Sequence, residues 1–523
     1  MHKYSLTRLA LTLCASFAAS QLCADEEQDL IALLQSNASP VQKADACVRL
    51  RIIGTARAVP AIAALLNDER LSQAARNALD GMPYPEAAGA MRNALANVTG
   101  PLQAGLVDSL GWKQDNESVP LLLPLLANND TAIASSAIAA LGRIGGQPAI
   151  DALVAAHTNA TSPIRSLISD ALLQCAAQLR DQGQLAQAAA IDRRLLAAAE
   201  PEQVRVAAHM GIILAERDRT LAALQEALLS KDSAAQLAAL RLAGEIRDPS
   251  ATPAWTALLP QLAPALQIGL LTALRQRNDV AAAGAVLGLA QNAAPPVRAA
   301  ALATLGVLGD ATTVPVLAEA AASADEGVQR AAREALIALR YGDVPTALVR
   351  QIPTAAPAAQ IELVRALTAR GERSAVPELI ALAGTGAPPA RKAALQAVAG
   401  LADGSHLQSL VDFLIAVNVP VAGEDICRAI VSLADRLAAA DRLDVAPIAA
   451  ALETSDLDTR SALLRVGALF VDARLRTAFR ASLADADPRV RNAAARALCD
   501  TRDPGLLPDL LNLARQTTEA DLR

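Results

Sequence analysis

Apolar positions along most of the chain fall three and four residues apart, the spacing of one face of a helix. The clearest stretch is Pro296 to Leu308, where Val297, Ala300, Ala301, Thr304, Leu305 and Leu308 share a face. Gly309 and Asp310 follow and are expected to stop that helix, with Gly309 taking the left-handed conformation common at helix ends. A second, shorter helix is expected over Val314, Pro315, Leu317 and Ala318. Its proline falls in the first turn, where a missing N–H costs nothing.

The same block returns at 131–142, 328–339, 389–400 and 488–498. The starts are about 30–33 residues apart, a period that belongs to repeat architectures. Two stretched copies fall near 163–200 and 420–456. One such hairpin cannot bury both of its apolar faces, but a row of them can. The expected fold is all-α: an α-solenoid, or superhelix, of about 14–15 helical hairpins. An Ala-rich bundle is the competing fold, and it would not need the same Val-Arg opening and Val-Pro second helix in each copy.

Composition strengthens the helical reading. Hydrophobic residues make up 53% of the 523, mostly Ala and Leu, and aromatics only 2%. Ala and Leu favour helix, while large sheets draw on β-branched and aromatic residues.

The blocks resemble HEAT repeats, especially the short type of phycobilisome-lyase-like HEAT proteins. The residues that carry the likeness are Val297 and Arg298, the Leu305-Gly306 pair, Val314-Pro315 with Leu317, and in the last copy Asp487, Val490 and Arg491. That resemblance implies a protein-binding scaffold, with chromophore attachment to a partner as the enzymatic alternative. It also implies an Asp–Arg ladder between repeats. Within one helix, Asp456 and Asp487 are expected to cap the N-terminus and to pair with Arg460 and Arg491 four residues on. The stretch Arg180 to Glu200, with Gly183, is closer to a tetratricopeptide hairpin. The expected organisation is therefore a leader at 1–24, HEAT-like repeats at 25–162, irregular hairpins at 163–233, and HEAT-like repeats at 234–523.

The leader reads as a secretory signal. Lys3 and Arg8 precede an apolar stretch from Leu9 to Ala19 that is too short to span a bilayer. Cleavage is expected after Ala24, with Ala18-Ala19-Ser20 as a second site. The processed chain is expected to be exported, periplasmic or extracellular, with no membrane insertion. Losing Lys3 and Arg8 would deepen a net charge of −6, which argues against nucleic acid as a partner. Cys47, Cys175, Cys427 and Cys499 remain. Their repeat separation is too large for disulfides, so all four are expected to be small buried hydrophobes. Asn-x-Ser/Thr sites, among them Asn97, Asn116, Asn129 and Asn159, fit glycosylation and Asn-rich turns equally well.

The search for chemistry finds no catalytic, cofactor or metal motif. His157, His209 and His406 are far apart in the chain, and no zinc-protease, nucleophile-elbow, phosphate-loop or haem-attachment pattern is present. The glycines at 142, 145 and 146 follow a helix and read as its stop. The carboxylates Asp485 and Asp487 fall at an expected turn. What is left is surface, with one or more proteins as the expected partner. Interface anchors tend to be Trp, Tyr and Arg. The chain has two Trp and three Tyr, so each matters. Tyr84 sits between prolines, Trp112 and Tyr341 lie near helix ends, and Arg143 and Arg340 stand at helix ends. Tyr84, Trp112, Arg143, Arg340 and Tyr341 are the candidate protein-binding residues. Trp255, beside Pro253 in a second helix, is the remaining tryptophan.

Overall fold

The computed structural model describes residues 25–197, 200–417, 424–437 and 444–516. The leader and the tail beyond 516 lie outside them. The chain divides into two compact units, Met1–Leu242 and Ala243–Arg523. Each is a stack of helical hairpins, so the fold is an all-α solenoid. Among the described residues the sole β feature is an isolated parallel bridge between Asp310 and Tyr341.

In the first unit the alternate helices form one layer. These are α1 (Pro40–Ile53), α2 (Ser72–Gly81), α4 (Gly100–Trp112), α5 (Thr131–Ile144) and α7 (Ile164–Asp181), with α3 (Pro85–Leu95) and α6 (Gly146–Asn159) between them. Each member of the layer packs on the next: α1 on α2, α2 on α4, α4 on α5, α5 on α7. The unit continues through α8 (Leu185–Ala197) and α9 (Glu202–Ala215). The second unit repeats the scheme with α10 (Ala251–Leu258), α11 (Pro264–Arg277), α12 (Pro295–Leu308), α13 (Val314–Ala321), α14 (Glu326–Ala338) and α15 (Pro357–Arg370). Here α11 packs on α12, α12 on α14 and α14 on α15.

The recurring Leu-Gly pair explains how closely these layers approach. Leu110 and Leu305 are fully buried. A Cβ on Gly111 would lie 2.7 Å from the Ala140 Cα, and one on Gly306 would lie 2.8 Å from the Ala335 Cα. Glycine on one helix and alanine on the next bring the backbones into contact, and the low volume of both residues is what the Ala-rich composition is for.

Three local expectations need correction. Gly309 caps α12 in an extended conformation, φ −75° and ψ 165°. Its need for glycine comes from crowding, because a Cβ there would lie 2.6 Å from the Leu305 carbonyl oxygen. The i,i+4 Asp–Arg pairs do not form. Asp456 accepts from the Asp458 and Thr459 N–H groups, while Arg460 reaches forward 2.8 Å to Asp485 of the next repeat. Asp487 caps through the Arg489 N–H, and Arg491 donates to the Asp485 and Ala486 carbonyls. A capping carboxylate is turned toward the helix end, so the arginine one turn on finds another acceptor, across the layer for Arg460 and in the loop just ahead of its own helix for Arg491. Cys499, finally, is exposed, whereas Cys47, Cys175 and Cys427 are buried.

Candidate functional site

Three of the five surface candidates fall in the first unit and form one edge of helix ends. Trp112 is the last residue of α4 and Arg143 lies in the last turn of α5. Because α4 and α5 are layer neighbours, their ends meet. The Arg143 guanidinium carbon sits 4.5 Å from the Trp112 ring centroid. Asp108 lies 3.7 Å from Arg143 on the same helix as Trp112. Gln114, held at φ +51°, donates to the Arg143 carbonyl at 3.2 Å. Gln178 of α7 donates to the same carbonyl at 2.8 Å. Of the three glycines expected to stop the helix, Gly145 at φ +67° and Gly146 at φ +78° do so, whereas Gly142 lies within α5 and packs closely on Ala171. Trp112 nonetheless stays 69% exposed. One face of the indole is covered by arginine and the rest is open.

Beside Trp112 lies a groove of about 550 Å³ lined by Tyr84, Pro83, Pro85, Lys113, Asp115 and Glu117, among others. Tyr84 is half-buried and precedes the first residue of α3. The prolines on either side fix its backbone. Lys113 does not offer a free charge to the groove. Its Nζ donates to the Leu79 carbonyl at 3.0 Å and the Met82 carbonyl at 2.7 Å, closing the C-terminal end of α2. Burial lowers its pKa, and Asp80 and Asp115 oppose that shift. Asp80 is pushed up by burial, against a hydrogen bond from Ser109. Asp115 and Glu117 are both held by Arg92 at 2.6 Å. The groove is therefore a preorganised surface whose charges are mostly paired within the protein, with an aromatic wall.

The other two candidates lie in the second unit. Arg340 and Tyr341 are exposed. Tyr341 is tied into its own repeats: its carbonyl accepts from Ala311 N–H at 3.0 Å, and its hydroxyl lies 3.4 Å from Asn278 Nδ2. It staples successive helix ends.

Sequence reasoning missed the most concentrated group of titratable side chains. His157 of α6, Ser169 and Arg165 of α7, and Glu200 ahead of α9 meet in the first unit. His157 Nε2 lies 3.1 Å from both Ser169 Oγ and Glu200 Oε1. Ser169 donates to Glu200 Oε2 at 2.8 Å, and Arg165 donates to Oε1 at 2.7 Å. A catalytic triad needs the carboxylate and the hydroxyl on opposite ring nitrogens, but here both meet the same one. All of His157, Ser169 and Glu200 are buried, so the group works as a polar lock between hairpins. Burial lowers the His157 pKa, with Arg165 adding to the effect and Glu200 opposing it. Burial resists ionisation of Glu200, but Arg165, Ser169 and His157 outweigh it and hold its pKa below the usual value. No spacing signal marks residues 12 and 43 positions apart. The register of the hairpins brings them together. A second pair, half-buried Arg180 and buried Asp192 at 2.7 Å, joins α7 to α8. Burial raises the Asp192 pKa to about 6 despite Arg180.

Among the described residues, no group of three or more His, Cys, Asp or Glu is placed to hold a metal ion. Nor is any described helix long and apolar enough to cross a membrane.

The chain carries HEAT repeats: residues 90–172 and 252–337 match the family profile described as HEAT repeats. The phycobilisome-lyase-like type is not identified. Among solved structures, importin β in an ammonium sulfate condition aligns over 99% of this chain and 79% of its own, at 14% identity and a TM-score of 0.36. Yeast importin β (Kap95p) aligns over 96% and 78%, at 14% identity and a TM-score of 0.38. Kap121p aligns over 96% and 74%, at 11% identity and a TM-score of 0.36. No curated protein matches the chain.

Proposed function

We propose that the chain is an exported HEAT-repeat scaffold that holds one or more protein partners on the helix-end edge of its first unit. The observation that carries this reading is the Trp112 indole, backed by Arg143 and otherwise open. A large aromatic held in one orientation gives contact area at low entropic cost, which is why such residues anchor interfaces. Tyr84 and its groove extend the same edge. Tyr341, engaged with its own repeats, stands second to this group, with Arg340 beside it. The role needs no catalytic group of the scaffold's own. Export rests on the leader, Lys3 and Arg8 before an apolar stretch.

A photo-crosslinking residue at position 112 or 114, compared with one at exposed Val280, tests the edge in the exported fraction. The expected result is a discrete cross-linked partner from 112 and 114 that is absent from 280. Equal capture at all three positions would remove the edge from consideration. A partner whose mass is covalently altered would point to a maturation enzyme, and no partner at all to a structural spacer. A reporter active only after export, fused to residues 1–30, checks localisation on its own.

A further inference from the structure

Among the described residues the helix layer of the first unit starts at α1, which has no predecessor there to pack on. Val41, Val48 and Ile52 share one face of α1 and are 69%, 63% and 74% exposed. In an interior member the matching face is covered. On α5, Ser136 donates to Asp108, Ala140 lies against Gly111 and Arg143 stacks on Trp112, all residues of α4. Counted from the helix start, those three positions are Asp45, Arg49 and Ile52 in α1, and all three are exposed. Asp45 and Arg49 flank the apolar stripe on one side, and Arg49 is held by Glu26. The last layer helix of the second unit, Pro488–Cys499, gives the contrast, since its exposed face carries Asn492, Arg496 and Cys499. Solenoid ends need polar outer faces in water, and the face of α1 is apolar where that one is polar.

The chain itself holds a segment that fits this place. Residues 25–35 are helical and pack beside α1: Leu34 joins the core of Cys47 and Leu50, and buried Glu27 accepts from the Thr55 N–H at 2.6 Å. They stand where the second helix of a hairpin stands, and no layer helix precedes them among the described residues. The layer helices of the first unit begin at 40, 72, 100, 131 and 164. Steps of 28 to 33 residues project a preceding start between 7 and 12. The leader's apolar stretch, Leu9 to Ala19, begins in that window. The five residues between it and Asp25 compare with three between α2 and α3. Leu6, Leu9, Leu13 and Phe17 recur at three- and four-residue spacing, as the packed sides of the layer do. We infer that in the full-length chain the leader's apolar stretch covers the open face of α1, with Leu9, Leu13 and Phe17 as its contacts to Val41, Val48 and Ile52. A chain that begins at Asp25 leaves that face bare. The inference does not rest on the scaffold reading, and it holds whether or not residues 1–24 are later removed.

Ile52→Cys, made in the full-length chain and in the chain that begins at Asp25, tests this through the rate of maleimide labelling. Both are produced without export, so that the first keeps its leader. The tryptic peptide 52–57 contains no native cysteine and reads position 52 alone. Labelling is expected to be at least about tenfold slower in the full-length chain, at every protein concentration. Val280→Cys, on an exposed residue of the second unit, is expected to label equally in both. In the full-length chain L13D/F17D restores the fast rate, whereas Leu11→Asp, off the four-residue spacing, keeps the slow one. Equal rates at position 52, slow labelling that persists in L13D/F17D, or fast labelling in Leu11→Asp would each overturn the inference. Slow labelling in the shorter chain that deepens with concentration would give the face to a second copy and overturn it as well. The export reporter on residues 1–30 reads the leader's other role, so the two readings fail separately.

Discussion

The protein has two tryptophans, and each lies under an arginine at the same distance, 4.5 Å from ring centroid to guanidinium carbon. In the first unit Trp112 and Arg143 make this contact at a helix-end edge, with the indole 69% exposed. In the second, Trp255 of α10 is fully buried and the Arg277 side chain is 3% exposed. Arg277 also donates to the Asp248 carbonyl at 2.9 Å and to Thr252 Oγ1 at 3.3 Å, and lies 3.6 Å from Asp279. Trp255 Nε1 and Arg277 Nε and Nη1 are buried with no hydrogen-bond acceptor among the described residues. There the stack takes over part of what water supplied in the unfolded chain. The same pair of residue types thus closes a core in one unit and prepares a surface in the other. Desolvation makes the difference: a cation–π contact gains roughly twofold or more when water is excluded.

The largest effect expected from this contrast is on stability. Trp255→Ala should cost about 3–5 kcal/mol, the range for emptying a large aromatic site. Trp112→Ala should cost under about 0.5 kcal/mol, as surface changes do. Denaturant unfolding followed by circular dichroism measures both, and comparable losses would erase the distinction. Next come the arginines. Arg277→Ala strips a buried charge network and should cost about 3 kcal/mol. Arg143→Ala should cost under about 1 kcal/mol, while lowering cross-linked yield at position 114, where Trp112 is retained.

A smaller effect depends on pH. The Thr252 hydroxyl holds the Asp279 pKa below its usual 3.8, against burial, and the Ala281 N–H and Arg277 add to this. The unfolded chain binds that proton more readily than the folded one. Asp279 therefore contributes stability fully above pH 3.8, and the contribution is lost as pH falls through the lower folded-state value. In a Trp112→Phe background, Trp255 emission during acid unfolding reads this directly. Asp279→Asn should flatten the acid limb, and an unchanged slope would detach Asp279 from the stack. The smallest effect is optical. Iodide should quench emission in Trp255→Phe, which keeps Trp112, more strongly than in Trp112→Phe. Equal quenching would mean that the two indoles are not differently exposed.

The sequence made the repeat legible because its apolar spacing, its Leu-Gly pairs and its Val-Pro second helices are local signals. Trp112 and Arg143 could be chosen from the chain for the same reason, each standing at a helix end. Their contact could not, since 31 residues separate positions whose meeting depends on how α4 and α5 stack. Trp255 shows the limit from the other side: Pro253 located it in a second helix, but nothing local marked Arg277 as the residue that would bury with it. The His157–Glu200 lock is of the same kind.

Helix content, hairpin length and the need to stack follow from residue order alone, because propensity and periodicity act over a few neighbours. Which side chains end up in water follows from how successive hairpins register against one another. That register is set by contacts such as Gly111 on Ala140 and Gly306 on Ala335. It places one tryptophan outside and one within, turns Arg460 toward Asp485, and leaves Cys499 exposed, outcomes that depend on close packing across the layer and have no local signature.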